Sequence, residues 1–331
     1  MENRTWGDSG ISVGALGFGC WAIGGEWRDG DGSPLGWGRV DDDESLAAVR
    51  RALDLGVTFF DTADLYGAGH SERVLGRALK GRRDEVVVAT KWGNTFDEDA
   101  RTRTGEDASP AYARRALTAS LRRLGTDRVD LYQLHLGGAS PEQGAELREA
   151  CEEFVREGLV RGYAWSTDDP ARAAVFADGP HCLAVQHACN VLEDAPGMLR
   201  FCESRGLASV VRSPLAMGLL ASTQGARSRG ATGDIRALPP AWLHWFGRGG
   251  VPEPRWAARV DAVRSVLTGG GRTLAQGALA WLWARSPGIV PIPGIRTVAQ
   301  AEENAGALAH GPLTGAQMEE IDTLLGRQGA S

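Results

Sequence analysis

The sequence predicts an α/β fold, a (β/α)8 TIM barrel formed by a single domain over residues 1–331. Three observations point there. Short apolar runs recur eight times, each is followed by a segment with helical spacing, and the runs are nearly continuous rather than alternating. Continuous apolar strands belong to a sheet covered on both faces, and strands that alternate with helices are parallel. Eight such units in 331 residues suit a sheet closed on itself.

The first strand is expected at residues 15–19 (ALGFG). The first helix follows in DDDESLAAVRRALDLG, where acids open the segment, apolar residues return every three to four positions and Gly56 closes it. The second strand, 57–61 (VTFFD), precedes a helix at 71–79; the third, 86–90 (VVVAT), precedes SPAYARRALTASLRRLG, which runs from Ser109 before Pro110 to Gly125. Strands at 129–134, 159–165, 183–187, 208–212 and 288–292 complete the set, with helices at 141–157, 169–177, 197–205, 273–285 and 297–308. Two stretches break the repeat, 24–40 and roughly 221–256. Both follow strands, so both belong on the C-terminal rim, where a barrel carries its active site. A doubly wound sheet is the rival, because Gly17-Phe18-Gly19-Cys20-Trp21-Ala22 has the G-x-G-x-x-A form. The residues after it, IGGEWRDGDGSPLG, cannot open the helix that such a fingerprint needs.

A net charge of −6 and a pI near 5.6, with arginines scattered along the chain, argue against a nucleic-acid partner. The first fifteen residues lack a signal-peptide pattern and no apolar run has membrane-spanning length, so neither secretion nor membrane insertion is expected. Five cysteines with no C-x-x-C pair fit neither a disulfide framework nor a zinc site, and suit a reducing cytoplasm. Nothing argues for an oligomer, so a monomer is expected.

Among 36 basic residues only Lys80 and Lys91 are lysines. A lysine at a strand end therefore asks for a reason. In a barrel, neighbouring strand ends meet at one mouth. The second strand ends in Asp61 with Tyr66 just after it, the third in Lys91 and the fourth in His135. Carbonyl reduction needs a hydride at carbon and a proton at oxygen. Tyr66 can give the proton, and an ammonium about 4 Å away favours its phenolate by up to about 4 kcal/mol at an effective dielectric of about 20. Asp61 would hold Lys91 charged and His135 would aim the carbonyl. Asp64 is read as a turn acid.

This constellation closely resembles the aldo-keto reductase superfamily. FFDTADLYGAGHSERVLGRAL, VVVATKWG, DRVDLYQLHLG, SPLAMGLL and IPGIRTVAQAEEN are similar to its motifs in order and spacing, from about Gly10 to Leu308. The resemblance implies a barrel with an N-terminal β-hairpin (about 3–14) over its floor, extended substrate loops on the rim, NADP(H) as cofactor, and an aldehyde or ketone substrate. It places the family's catalytic residues on Asp61, Tyr66, Lys91 and His135. It places the nicotinamide against Ser166, Gln186 and Arg212, with Thr167 where the family has asparagine and Arg212 where many members have an aromatic ring. Ser213, Leu215 and Gly218 would follow the pyrophosphate; Gly294, Arg296, Gln300, Glu303 and Asn304 would surround the adenosine, Arg296 favouring a 2′-phosphate.

The segment after His135 is bare (Leu136-Gly137-Gly138-Ala139), so Trp21, Trp27, Trp37 and Trp92, with Trp242, Trp245 and Phe246, are expected to wall the substrate pocket. The same groups would serve alcohol or sugar oxidation. A non-catalytic NADPH-sensing subunit is the alternative from another class.

Overall fold

The structure, a computed structural model, describes residues 3–7, 9–221 and 230–327. The part of the long rim segment at 222–229 lies outside the described residues. A short antiparallel hairpin, β1 (Arg4–Thr5) and β2 (Ser12–Val13), comes first. Five strands and a second hairpin follow in chain order: β3 (Gly17–Gly19), β4 (Phe59–Asp61), β5 (Val87–Trp92), the β6 (Asn94–Asp97) and β7 (Thr102–Glu106) hairpin, β8 (Leu131–Leu134) and β9 (Tyr163–Ser166). The last three are β10 (Cys182–Ala188), β11 (Ala208–Arg212) and β12 (Ile289–Pro291). Without the two hairpins, these form one eight-stranded sheet in sequential order, with every pairing parallel. All eight strands fall where the apolar runs predict.

The cylinder closes between its first and last strands. Gly19 N donates to Pro293 O at 3.0 Å and Ile295 N donates to Gly19 O at 3.3 Å. A side chain at position 19 would bring its Cβ within 2.9 Å of Ile292 O, so the seam needs glycine.

Helices clothe the outside: α1 (Asp42–Asp54), α2 (His70–Ala78), α3 (Pro110–Leu124), α4 (Pro141–Arg156), α5 (Pro170–Ala177) and α6 (Pro196–Arg205), then α7 (Pro254–Thr268), α8 (Leu274–Arg285), α9 (Val298–Gly306) and α10 (Gly315–Leu324). Their starts follow the sequence signals. Asp41 caps α1 by accepting from the Asp43 and Glu44 amides, and Ser109 caps α3 by accepting from Tyr112 N. Two helices exceed the expectation: α7 begins inside the stretch read as loop up to 256, and α10 follows the last expected helix.

Alternation along the strands sorts two cores. Phe59, Val87, Leu131, Ala164, Ala184, Val210 and Val290 fill the barrel interior together with Trp6, Ile11 and Val13 from the floor hairpin. Their neighbours, such as Phe60, Val88, Tyr132 and Trp165, face the helices. Further along five of the strands, two residues on in β4, β8, β9 and β10 and four residues on in β5, the interior turns polar. Asp61, Lys91, Gln133, Ser166 and Gln186 occupy that layer, with Lys91 beside Gln133 and Ser166 beside Gln186 in register.

The segment 24–40 is ordered by its own ladder. Leu35 N donates to Trp27 O at 3.0 Å, Arg103 N to Arg28 O at 2.9 Å, and Gly38 N to Gly233 O at 3.0 Å. It thereby joins the β6–β7 hairpin to the residues after β11. Among the described residues, no helix is long and apolar enough to cross a membrane.

Candidate active site

Lys91 is fully buried and its ammonium is saturated by three acceptors: Asp61 Oδ1 at 2.5 Å, the Thr62 carbonyl at 2.9 Å and Tyr66 Oη at 3.1 Å. Burial pushes this ammonium down, but Asp61 and Tyr66 outweigh it and hold its pKa above the ordinary lysine value. The other Asp61 oxygen accepts from Gln133 Nε2 at 2.7 Å and Gln186 Nε2 at 2.8 Å. A buried ion pair is costly unless its remaining lone pairs are satisfied, and here both oxygens are.

The loop after β4 delivers Tyr66. Thr62 N donates to Ala89 O at 2.8 Å and Asp64 N donates to Lys91 O at 3.2 Å, which holds the loop across β5. Gly24 and Gly67 then let segment 24–40 press on it. A Cβ at Gly67, whose φ is +63°, would lie 2.1 Å from Gly24 O. Burial raises the Tyr66 phenol; Lys91 draws it down without fully offsetting burial, so it stays above the ordinary tyrosine value. The ammonium's pull expected from the sequence is present, yet desolvation is larger. Tyr66 therefore keeps its proton at neutral pH.

His135 meets the Tyr66 ring edge-on, with centroids 6.0 Å apart. Burial first, then Lys91, Arg212 and Arg103, lower its pKa to about 3, so the imidazole is neutral and offers one N–H. Asp64 departs from the expectation of a turn acid. It is buried; burial and then Glu72 push it well above the usual carboxylate range, with Arg123 opposing.

Asp61, Tyr66 and His135 line a cleft of about 690 Å³ that runs along the rim to the start of α9, with Lys91 buried behind them. Ser166, Gln186, Arg212, Ser213, Leu215 and Gly218 line its middle, and Gly294, Arg296, Gln300, Glu303 and Asn304 its far end. Arg212 forms an ion pair with Asp168. Ser213, Ala216 and Met217 all have positive φ, at 53°, 46° and 52°. Three left-handed non-glycine residues within five positions are costly and mark a segment shaped for a purpose. Arg296 forms no ion pair among the described residues; its Nη1 donates to Trp37 O at 3.2 Å. Burial and the nearby Arg236 lower its pKa, so an anion there would be welcome.

Some expected residues fall elsewhere. Trp92 is not on the pocket wall: Lys91 faces inward, so the next side chain must face out, where Trp92 stacks on Tyr132 with centroids 4.2 Å apart. Thr167 does not line the cleft; it is buried and its hydroxyl accepts from Asp169 N at 3.1 Å. Trp245 and Phe246 are core residues. Trp21, Trp27, Trp37 and Trp242 do line the cleft. Sequence reasoning missed Gln133, although a glutamine two positions before His135 in an apolar strand must face the same interior. It also missed Asp29, Asn94, Arg103 and Glu106, which line the cleft beside His135.

The model of the Aldo/keto reductase family matches residues 15–325. The chain is 30% identical over 310 residues to the aldo-keto reductase yakc of Schizosaccharomyces pombe, whose name specifies NADP(+), covering 90% of this chain and 84% of that protein. An aldo-keto reductase from Bacillus halodurans, solved in its holo form, is 28% identical with a TM-score of 0.77, covering 98% of this chain and 96% of that one. An aldo/keto reductase from Klebsiella pneumoniae, solved in complex with NADP and acetate, is 28% identical with a TM-score of 0.68, covering 97% and 94%.

Proposed function

Because this chain belongs to the aldo/keto reductase family of oxidoreductases, we propose that it reduces an aldehyde or ketone to the alcohol with NADPH, Tyr66 acting as general acid. The observation that carries this is the three-way clasp of Lys91 on Asp61, Thr62 and Tyr66.

The cleft fits the cofactor. Gln186 Nε2 is spent on Asp61 Oδ2 and Gln133 Oε1, which leaves its own Oε1 to accept from a carboxamide beside Ser166. The Arg212 guanidinium offers a flat face in the same stretch. The left-handed backbone at Ser213, Ala216 and Met217 suits a pyrophosphate, and Arg296 suits a 2′-phosphate. NADPH, when bound, supplies the hydride.

The chain's residues handle the proton and the charge. Tyr66 holds its proton until the substrate oxygen gains negative charge, and the ammonium 3.1 Å away stabilises the phenolate left behind. Neutral His135 donates its N–H to the carbonyl oxygen and aims it. Lys91 cannot relax away, because Asp61 is itself held by two glutamines. The same groups serve the reverse oxidation.

Replacing Tyr66 by Phe tests the assignment. NADPH binding should persist, and kcat with any accepted aldehyde should fall by roughly 10²–10⁴-fold. An undiminished kcat would remove Tyr66 as the acid.

A further inference from the structure

A second cavity lies on the flank of the barrel, where α2 and α3 meet, and it shares no lining residue with the rim cleft. Its volume is about 790 Å³. Gly76 lets the two helices touch backbone to backbone, since a Cβ there would stand 2.4 Å from Leu124 O. Around this crossing the walls carry Arg73, Arg77, Lys80, Arg83, Arg122 and Arg123 against a single carboxylate, Glu98. In a chain whose net charge is −6, so basic a groove is out of keeping with the rest.

Part of this charge is already matched. Arg123 pairs with Glu72 and Glu98, Arg73 with Glu98, and Arg83 with Asp130. Arg77 reaches one oxygen of Asp42 at 3.4 Å, while the other oxygen binds His70 at 2.8 Å. The side chains of Lys80 and Arg122 have no hydrogen bond or ion pair among the described residues. The matching carboxylates thus number four against six cations. The C-terminal ends of α2 and α3 carry roughly half a negative charge each, too little to cancel that surplus. Lys80 is also one of only two lysines in a chain that otherwise writes its positive charge as arginine.

We propose that this groove binds a small anion with two or more linked phosphates, held by Arg77 and Lys80 from the α2 wall and by Arg122 from the α3 wall. Under-paired cations on two walls suit a ligand that reaches both, and linked phosphates present oxygens to each. The Arg122 guanidinium offers a fork to one phosphate and the Lys80 ammonium a point charge to another. A volume of about 790 Å³ is that of a small-ligand site, and the acidic remainder of the chain repels a long polyanion. The site stands apart from the carbonyl-reductase reading, because none of its residues touches the rim cleft.

Isothermal titration calorimetry of the full chain, saturated with NADPH and free of magnesium, tests this with inorganic pyrophosphate, ATP, orthophosphate and citrate. Pyrophosphate should bind once per chain with a Kd below about 1 mM at about 50 mM salt, and at least about tenfold more tightly than orthophosphate or citrate. Lys80 and Arg122 are exposed, so Lys80→Met combined with Arg122→Met should leave the melting temperature and kcat unchanged while weakening pyrophosphate at least about tenfold. Lys80→Gln alone should weaken it about threefold, and carries the comparison if the double variant does not fold. ATP binding at least about tenfold more tightly than pyrophosphate assigns the phosphates to a nucleotide, and ATP binding no more tightly assigns them to an inorganic chain; both uphold the site. No heat with pyrophosphate up to about 5 mM overturns the inference, as does an affinity that the folded variants preserve. Equal affinity for orthophosphate or citrate overturns it too, since the groove then holds an adventitious ion only. A single-stranded oligonucleotide that binds more tightly than pyrophosphate at the same salt likewise refutes it, by making the surface a nucleic-acid track.

Discussion

Exchanging Lys91 for Met keeps the length of the side chain and deletes its charge, and the structure sets the size of the effect. At 3.1 Å the ammonium stabilises the Tyr66 phenolate by about 5 kcal/mol at an effective dielectric of about 20, which corresponds to about four pH units. Asp61 remains behind and pushes the same way, since its charge already raises the phenol. Tyr66 thus becomes a far weaker acid, and kcat for aldehyde reduction should fall by about 10³-fold or more, followed by NADPH absorbance. The alkaline limb of the pH profile, where protonated Tyr66 is lost, should move upward and leave a flat profile to the highest workable pH. The variant should also be less stable by roughly 3–5 kcal/mol, because a buried carboxylate has lost its counterion. Adding Asp61→Asn to Lys91→Met should restore much of the stability and none of the rate. A Lys91→Met enzyme within threefold of wild-type kcat, or an alkaline limb that moves down, would refute the role given to Lys91.

Arg296→Met should weaken NADPH binding by roughly 10–100-fold and leave NADH nearly unaffected, as expected for charge-assisted bonds to one phosphate; fluorescence titration of both cofactors checks it. Burial and its cationic neighbours lower His135 from an ordinary value near 6.5 to about 3, so the unfolded chain takes up this proton first as pH falls. The protein should therefore lose stability between about pH 6.5 and 3 through this group, by about 1–2 kcal/mol at pH 5. Comparing urea midpoints at pH 7 and pH 5 for wild type and His135→Asn measures it. Gly67→Ala combines a positive φ with a Cβ 2.1 Å from Gly24 O, and should lower the melting temperature and kcat together by displacing the Tyr66 loop.

The strands were legible because burial on both faces forces near-continuous apolar runs, and their ends were legible because a barrel brings them together. What escaped has physical causes. The β6–β7 hairpin, NTFDEDARTRTGE, is polar on both faces and stands on the rim, so no alternation betrays it. In α10 only Ile321 is buried, which leaves no apolar stripe to detect. Helix α7 begins at Pro254 inside a segment whose glycines and prolines look like loop. Within the site, Asp61, Tyr66, Lys91 and His135 stood out by residue type. Asp64 was misjudged because its neighbours in space, Glu72 and Arg123, come from helices α2 and α3. Trp92 was misassigned although the strict alternation from Lys91 already placed it outside.

The short N-terminal hairpin has a bearing on events at the opposite end of the cylinder. Trp6 sits edge-on against Phe59 at 5.1 Å, and Phe59 lies two residues below Asp61 on the same strand. That step is about 7 Å of strand. Trp6, Ile11 and Val13 therefore act as a stopper that keeps bulk water from rising beneath the ammonium. Without them the local dielectric under Lys91 would climb, and the field that lets a phenol part with its proton would be short-circuited from below.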